Sequence, residues 1–295
     1  MSNNLIRYIT HDGSAVIAVL DSTDIVRRME QLHHTSATAS AALGRVITAA
    51  ALMGCGLKDP GNTLTLSIRG DGPMGNITAV SDWKGNVRGC ADDVTVELPI
   101  NEQGKLDVGG AVGHNGTLYV VRDVGMDTPY VGQIALVSGE IAEDVTEYYA
   151  VSEQIPTVCA LGVLVDTDLS VKCAGGFLLQ LLPGAEEETI AQLEANIAAL
   201  PSVTVMLESG MSLQDIALAV LHNLQPDELD GWVAEYHCTC CRERMERVLI
   251  SLGREELARL AEEQPTTEIV CHFCNTKYSF TAEEIRKLYD ECTRE

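Results

Sequence analysis

Five cysteines gathered into two short runs constrain this chain most: "HCTCC" at 237–241 and "CHFC" at 271–274, with thirty residues between Cys240 and Cys271. Thiols at such spacing suit a tetrahedral zinc site closed by four thiolates, which keeps no open position for a catalytic water. Five sulfurs compete for four places. The commonest knuckle spacing, C-x2-C, pairs Cys238 with Cys241, whereas the tighter C-x-C pairs Cys238 with Cys240, and the residues alone leave both open. His237 and His272 flank the cysteines and are the alternative ligands, less favoured where thiolates are at hand. Four thiolates on Zn²⁺ leave a net charge of −2, which Arg242, Arg244 and Lys277 either offset or ignore as a solvated basic face. The region holds few large apolar side chains, so metal binding, worth about 10–16 kcal/mol in small zinc domains, would supply its folding energy. Such a centre is a staple or a switch, because a thiolate oxidised to sulfenic acid or disulfide no longer holds metal well.

The other cysteines are distributed differently. Cys55, Cys90, Cys159 and Cys173 sit in or beside apolar runs and read as small buried hydrophobes, and Cys292 stands near the C-terminus. The opening residues, MSNNLIRYITHDGS, lack a basic stretch followed by an apolar core and a cleavage site, so the expected location is the cytoplasm. In that compartment cysteines serve as thiols, ligands or redox groups rather than as a disulfide framework. With 43 acidic against 20 basic residues the net charge is −23, and no segment gathers Lys and Arg, so nucleic acid is not an expected partner. The long apolar stretch 35–57 carries Arg45 near its middle, where membrane insertion costs roughly 2.5–3.5 kcal/mol. It reads as a buried helix, and no membrane partner is expected.

Three regions follow one another. Residues 1–182 alternate β-rich runs ("NLIRYI", "SAVIAVL", "TLTLSIRG", "NITAVSD", "TLYVVRD", "GQIALVSG", "TVCALGVLVD") with helical periodicity at 23–55 and in "AEDVTEYYAVSEQ". This is an α+β core domain whose short strands are expected to be largely antiparallel. At Pro183 and Gly184 the character changes, and Glu186, Glu187 and Glu188 stand where a helix N-terminus favours negative charge. Ile190, Leu193, Ile197 and Leu200 recur at helical intervals. A second helix begins near Ser212 with an S-x-x-D capping box, and places Leu213, Ile216, Ala217, Val220, Leu221 and Leu224 on one face until Pro226. The span 183–230 is therefore a helical linker with an apolar stripe and too few residues for a core of its own. From 231 to 295 the cysteines dominate, around two helices broken at Gly253.

"RGDGPMG" at 69–75 has G-x-G-x-x-G spacing after a strand. A dinucleotide loop should open a helix, whereas Gly75 leads into an alternating, strand-like "NITAVSD", so a hairpin turn is expected. No G-x-x-x-x-G-K-[ST] occurs, and ATP-driven action has no motif.

At "HCTCCRERMERVLISLGREELARL" and "VCHFCNTKYSFTAEEI" the chain resembles the 33 kDa chaperonin family, the redox-regulated heat-shock chaperones of bacteria, marked by C-x-C followed at a distance by C-x-x-C. The resemblance runs from end to end through "LTLSIRGDGPMGNITAVSD", "GKLDVGGAVG", "PYVGQIALVSGEIAEDVTEYYAVSEQ", "LGVLV" and "AGGFLLQLLPGA". It implies zinc ligation by Cys238, Cys240, Cys271 and Cys274 and leaves Cys241, commonly Ser in the family, as a departure. Cys90, where an aromatic residue is usual, is a second. It also implies a non-enzymatic, ATP-independent holdase under oxidative stress. On this pattern the reduced, zinc-bound protein is off. Disulfides Cys238–Cys240 and Cys271–Cys274 then form, zinc is released, and the switch domain and linker loosen to expose apolar surface to unfolded clients, the active form being a homodimer. The stripe at Ile190, Leu193, Ile197, Ile216, Val220 and Leu224, or the core face it covers, is the expected client surface, ordinary helix packing being the alternative. Two rival functions are a thiol–disulfide oxidoreductase using Cys271-x-x-Cys274, against which zinc would sequester the thiolate, and a zinc-ribbon nucleic-acid binder, against which the charge stands.

Overall fold

The computed structural model describes residues 3–291, so Cys292 lies outside the described residues. The chain forms two compact units, Met1–His237 and Cys238–Glu295. In the first, the order is β1 (Leu5–Thr10), β2 (Ala15–Asp21), α1 (Thr23–His33), α2 (Ala37–Gly54), β3 (Thr63–Gly70), β4 (Asn76–Asp82), β5 (Val87–Ala91), α3 (Val108–Val112), β6 (Gly116–Asp123) and β7 (Tyr130–Ala135). There follow α4 (Ala142–Tyr148) with a π-helical turn at Tyr149–Glu153, β8 (Thr157–Val165), β9 (Val171–Leu181), α5 (Glu187–Ala199), α6 (Val203–Glu208), α7 (Leu213–Val220) and β10 (Pro226–Trp232). The second unit holds α8 (Arg242–Ser251), α9 (Arg254–Glu263), β11 (Thr266–Val270), β12 (Lys277–Thr281) and α10 (Ala282–Glu291). The class is α+β.

Two five-stranded antiparallel sheets make the first unit, ordered β10-β1-β2-β9-β8 and β5-β4-β3-β6-β7. Helix α2 lies between them, packed on strands of both. Its Ala, Ser, Thr and Gly content permits this, since a Cβ on Gly44 would stand 2.9 Å from Val26 Cγ1 and 3.0 Å from Val163 Cγ2. Among the described residues α2 is the one helix long and apolar enough to cross a membrane, and 89% of it is buried inside the protein. The periodicity at 23–55 resolves into two helices rather than one, because His34 adopts φ 52 and Ser36 then caps α2 by accepting from Ala39 N–H.

The first sheet is apolar on both faces, as its unbroken runs require. Leu5, Ala18, Leu20 and Leu178 point into the core shared with α2 and the second sheet. Their neighbours Ile6, Tyr8, Ile17, Val19, Phe177 and Leu179 point the other way, onto Leu193, Val203, Met206, Ile216 and Val220 of α5–α7. Each fully buried Leu, Ile or Val contributes on the order of 1.5–3 kcal/mol. The sequence Arg69–Gly75 is a β3–β4 hairpin turn, with Gly75 at φ 66 and Gly72 against the backbone of Ala111 and Val112, so no helix opens there for a pyrophosphate.

Two departures from the sequence reading concern the segment after Ser212. Its capping box forms, Asp215 N–H donating to Ser212 Oγ at 3.1 Å, but α7 stops at Val220 instead of reaching Pro226. Asn223 and Gln225 take φ 67 and 47, and Asn196 Nδ2 donates to the carbonyls of Val220 and His222, which ends the helix. "PDELDGW" then pairs with β1 as β10, and the next five residues remain on the first unit. Ala234 N–H donates to Asn4 Oδ1 at 2.7 Å, Val87 N–H to Glu235 O at 3.0 Å, and His237 N–H to Val87 O at 2.9 Å. These bonds keep residues 233–237 with the first unit, which ends at His237.

Candidate metal centre

The second unit has a small core of Met245, Leu249, Leu257, Ala261, Phe280, Ile285 and Leu288. Its cysteines come from two places. Cys238 and Cys240 lie on the irregular segment that leads into α8, and Cys271 and Cys274 form the turn between β11 and β12. That turn closes by Cys271 N–H to Thr276 O at 3.0 Å and Asn275 N–H to Cys271 O at 2.8 Å, with Asn275 at φ 55, a conformation Asn tolerates.

The sulfurs of Cys238, Cys240, Cys271 and Cys274 all lie within 4.8 Å of one another. Cys238 and Cys271 are 3.7 Å apart and Cys240 and Cys274 3.3 Å apart, so all four are unbonded thiols. Four sulfurs bound at about 2.3 Å around a tetrahedral ion stand about 3.8 Å from each other, so the cluster has the size and donor set for zinc. Every edge of a tetrahedron is alike, and these separations do not select disulfide pairs. Cys241 is exposed and outside the cluster, as are His237, which faces Glu235 at 3.7 Å, and the exposed His272.

The sulfurs are served by neutral donors rather than by cations. Backbone N–H groups of Phe273 and Cys274 bond to Cys271, and that of Cys240 to Cys238. Tyr278 donates its hydroxyl to Cys240 Sγ at 3.1 Å, and Thr276 Oγ1 sits 3.1 Å from Cys274 Sγ. Burial raises the Cys238 and Cys271 thiols above their usual value. Burial also works on Cys274, but the Thr276 hydroxyl and N–H, with Cys240 and Cys238, bring it down to about 7. Arg242 pairs with Glu284 at 2.6 Å and lies 4.3 Å from the Phe280 ring, Arg244 bonds Thr239, and Lys277 faces Glu268 at 3.7 Å. The three cations named from sequence thus serve other partners, while Thr276 and Tyr278, unremarked there, reach the sulfurs. Their position two and four residues after Cys274 was the available signal.

Cys55, Cys159 and Cys173 are buried and Cys90 half-buried in the first unit, with burial pushing Cys55 and Cys159 up to about 12. Of the apolar stripe, Leu193, Ile216 and Val220 are buried on the first sheet, Ile197 and Leu224 are half-buried beside them, and Ile190 is half-buried outside that cluster.

The two candidates for the fourth ligand separate by mutation. Cys241→Ser should retain full metal and reversible behaviour, whereas Cys240→Ser should lose tight metal binding; the reverse pattern in a zinc titration would restore the C-x2-C pairing.

Known proteins match this chain throughout. The Hsp33 protein family matches residues 3–281. A 33 kDa chaperonin from Alkaliphilus metalliredigens is 44% identical over 291 residues, covering 99% of this chain and all of that protein. One from Clostridioides difficile has the same identity and coverage. The crystal structure of the 33 kDa chaperonin of Thermotoga maritima superposes with a TM-score of 0.89 at 36% identity, each chain covering the other completely.

Proposed function

This chain belongs to the Hsp33 family, and from that footing we propose that it is a redox-controlled, ATP-independent holdase, silent while reduced and zinc-bound and active once oxidised. Membership makes it a heat-shock chaperone rather than an enzyme, with unfolding proteins as its partners. The observation that carries the regulated reading is the cluster of four unbonded thiols at Cys238, Cys240, Cys271 and Cys274. Zinc held there by Cys238, Cys240, Cys271 and Cys274 would supply cross-linking alone, there being no open coordination place for a water.

Oxidation acts on the sulfurs. Each of the pairs Cys238–Cys240 and Cys271–Cys274 gives up two electrons; with hydrogen peroxide, two thiolates and two protons yield one disulfide and two waters. No thiolate then remains to hold the ion. The second unit loses roughly 10–16 kcal/mol of metal binding, which exceeds the stability a core of this size provides alone. Unfolding of that unit loosens the segment N-terminal to it, and the sheet face of Ile6, Tyr8, Ile17, Val19, Phe177 and Leu179 beneath α5–α7 becomes the client surface. The active form is a homodimer, and the protein works in the cytoplasm.

Zinc content and suppression of client aggregation, measured together before oxidation by peroxide at elevated temperature, after it, and after re-reduction, test this reading. About one zinc per chain should be released as holding activity appears, and both changes should reverse. Zinc retained throughout with no gain in holding would overturn it.

A further inference from the structure

Strand β10 is an unusual occupant of the place it fills. It contributes Pro, Asp, Glu, Asp and Gly, residues that sheets disfavour, and none of its seven residues is buried. It sits at the edge of the first sheet, antiparallel to β1, in a register that shifts between Arg7 and Tyr8. Polar pairs hold it there: Arg7 with Asp230, Tyr8 Oη with Glu228 at 2.8 Å, and His11 with Asp227 at 3.0 Å. The exposed His11–Asp227 pair contributes little, so β10 is held chiefly by Arg7, which grips Asp230 with two donors, and by the partly buried Trp232. By contrast β1 is apolar, its Ile6 and Tyr8 being buried on the sheet face that α5–α7 cover. Only residues 233–237 separate β10 from the first cluster cysteine, Cys238.

We propose that β10 is a detachable cover, and that the edge of β1 beneath it is a binding site for an extended segment of an unfolded client, added antiparallel in β10's place. This rests on the redox-controlled reading. β10 itself shows that an extended heptapeptide fits the edge. Departure of the continuous stretch from α5 through β10 frees the edge together with the adjoining face of Ile6, Tyr8, Ile17 and Phe177. Main-chain bonds to β1 then serve any sequence, and alternate side chains of the incoming strand fall on that apolar face. A folded protein has no free extended segment to offer, so the site distinguishes unfolded from native chains without reading sequence. In the resting state β10 removes the hazard that an open apolar edge presents.

Hydrogen exchange of the full chain, with permanently unfolded carboxymethylated α-lactalbumin as the probe, tests this. On oxidation the β1 amides that bond to β10 should exchange at least roughly tenfold faster, and bound client should restore their protection, while the β1 amides bonded to β2 and those of β3, β4 and β6 change little. Client held while β1 stays protected throughout, or while β1 stays unprotected, overturns the proposal. A second route avoids oxidation. The zinc-loaded, reduced double variant Glu228→Lys with Asp230→Lys sets like charge against Arg7 and should hold the probe with β1 protected again in the complex. Its failure to hold the probe, despite an exposed β1, overturns the proposal. Absence of zinc release and holding on oxidation would instead count against the redox reading and leave this variant to decide.

Discussion

Cys271→Ser should strip the metal from the second unit and unfold it, leaving the first unit's sheets in place apart from edge strand β10. Cys271 is 6% exposed and its sulfur takes two backbone N–H groups, so it is both a ligand and the centre of the β11–β12 turn. A serine hydroxyl is not ionised at neutral pH and is a poor substitute for thiolate on zinc. The seven buried apolar side chains around α8–α10 then have to hold the unit without about 10–16 kcal/mol of metal binding, and they are too few. A metal assay should read near zero, and the helical far-ultraviolet signal of α8–α10 should be lost. In the proposed mechanism the variant also holds clients in reducing buffer. Wild-type metal content in the serine variant would remove Cys271 from the ligand set.

Ile216→Asp combined with Val220→Asp should release α7 from the first sheet while the metal stays bound. Both side chains are at most 1% exposed, against Ile6, Tyr8, Ile17 and Val19. Truncating a buried aliphatic side chain costs about 2–5 kcal/mol, and a buried unpaired carboxylate costs more. The helix detaches rather than accept two charges beneath it. Zinc content should match the wild type, and aggregation of a client should be suppressed without oxidant. An unchanged silent state, with α7 shown by exchange to be detached, would mean that clients bind elsewhere. Leu218→Asp on the same helix, at a position 39% exposed, is the control and should change neither property.

Much of this architecture was legible along the chain. The β-rich runs "SAVIAVL" and "TLTLSIRG", bounded by Gly, Asp and Asn, marked strands, the Ser212–Asp215 pair marked the start of α7, and Gly253 at φ 89 separates α8 from α9 as its position suggested. The stripe containing Leu193, Ile216 and Val220 does bury itself, because period 3.6 in apolar residues reports a covered face whatever covers it. Helix α6 was missed: six residues carry too little periodicity to register.

The sequence by itself determined that two groups of cysteines would dominate a small C-terminal region, and that strands and helices would share an α+β domain before it. Both follow from spacing and period, which are local properties. Spacing alone left Cys240 and Cys241 as rivals and the family resemblance favoured Cys240; the tertiary structure brings Cys240, not Cys241, into the cluster. Cys241 is extended, at φ −148 and ψ 168, and extended backbone turns neighbouring side chains to opposite sides, so one of two adjacent sulfurs faces the β11–β12 turn. Only the tertiary structure made a strand of "PDELDGW". Its own residues disfavour that state, and the hydrogen bonds that impose it come from β1, at the opposite end of the chain.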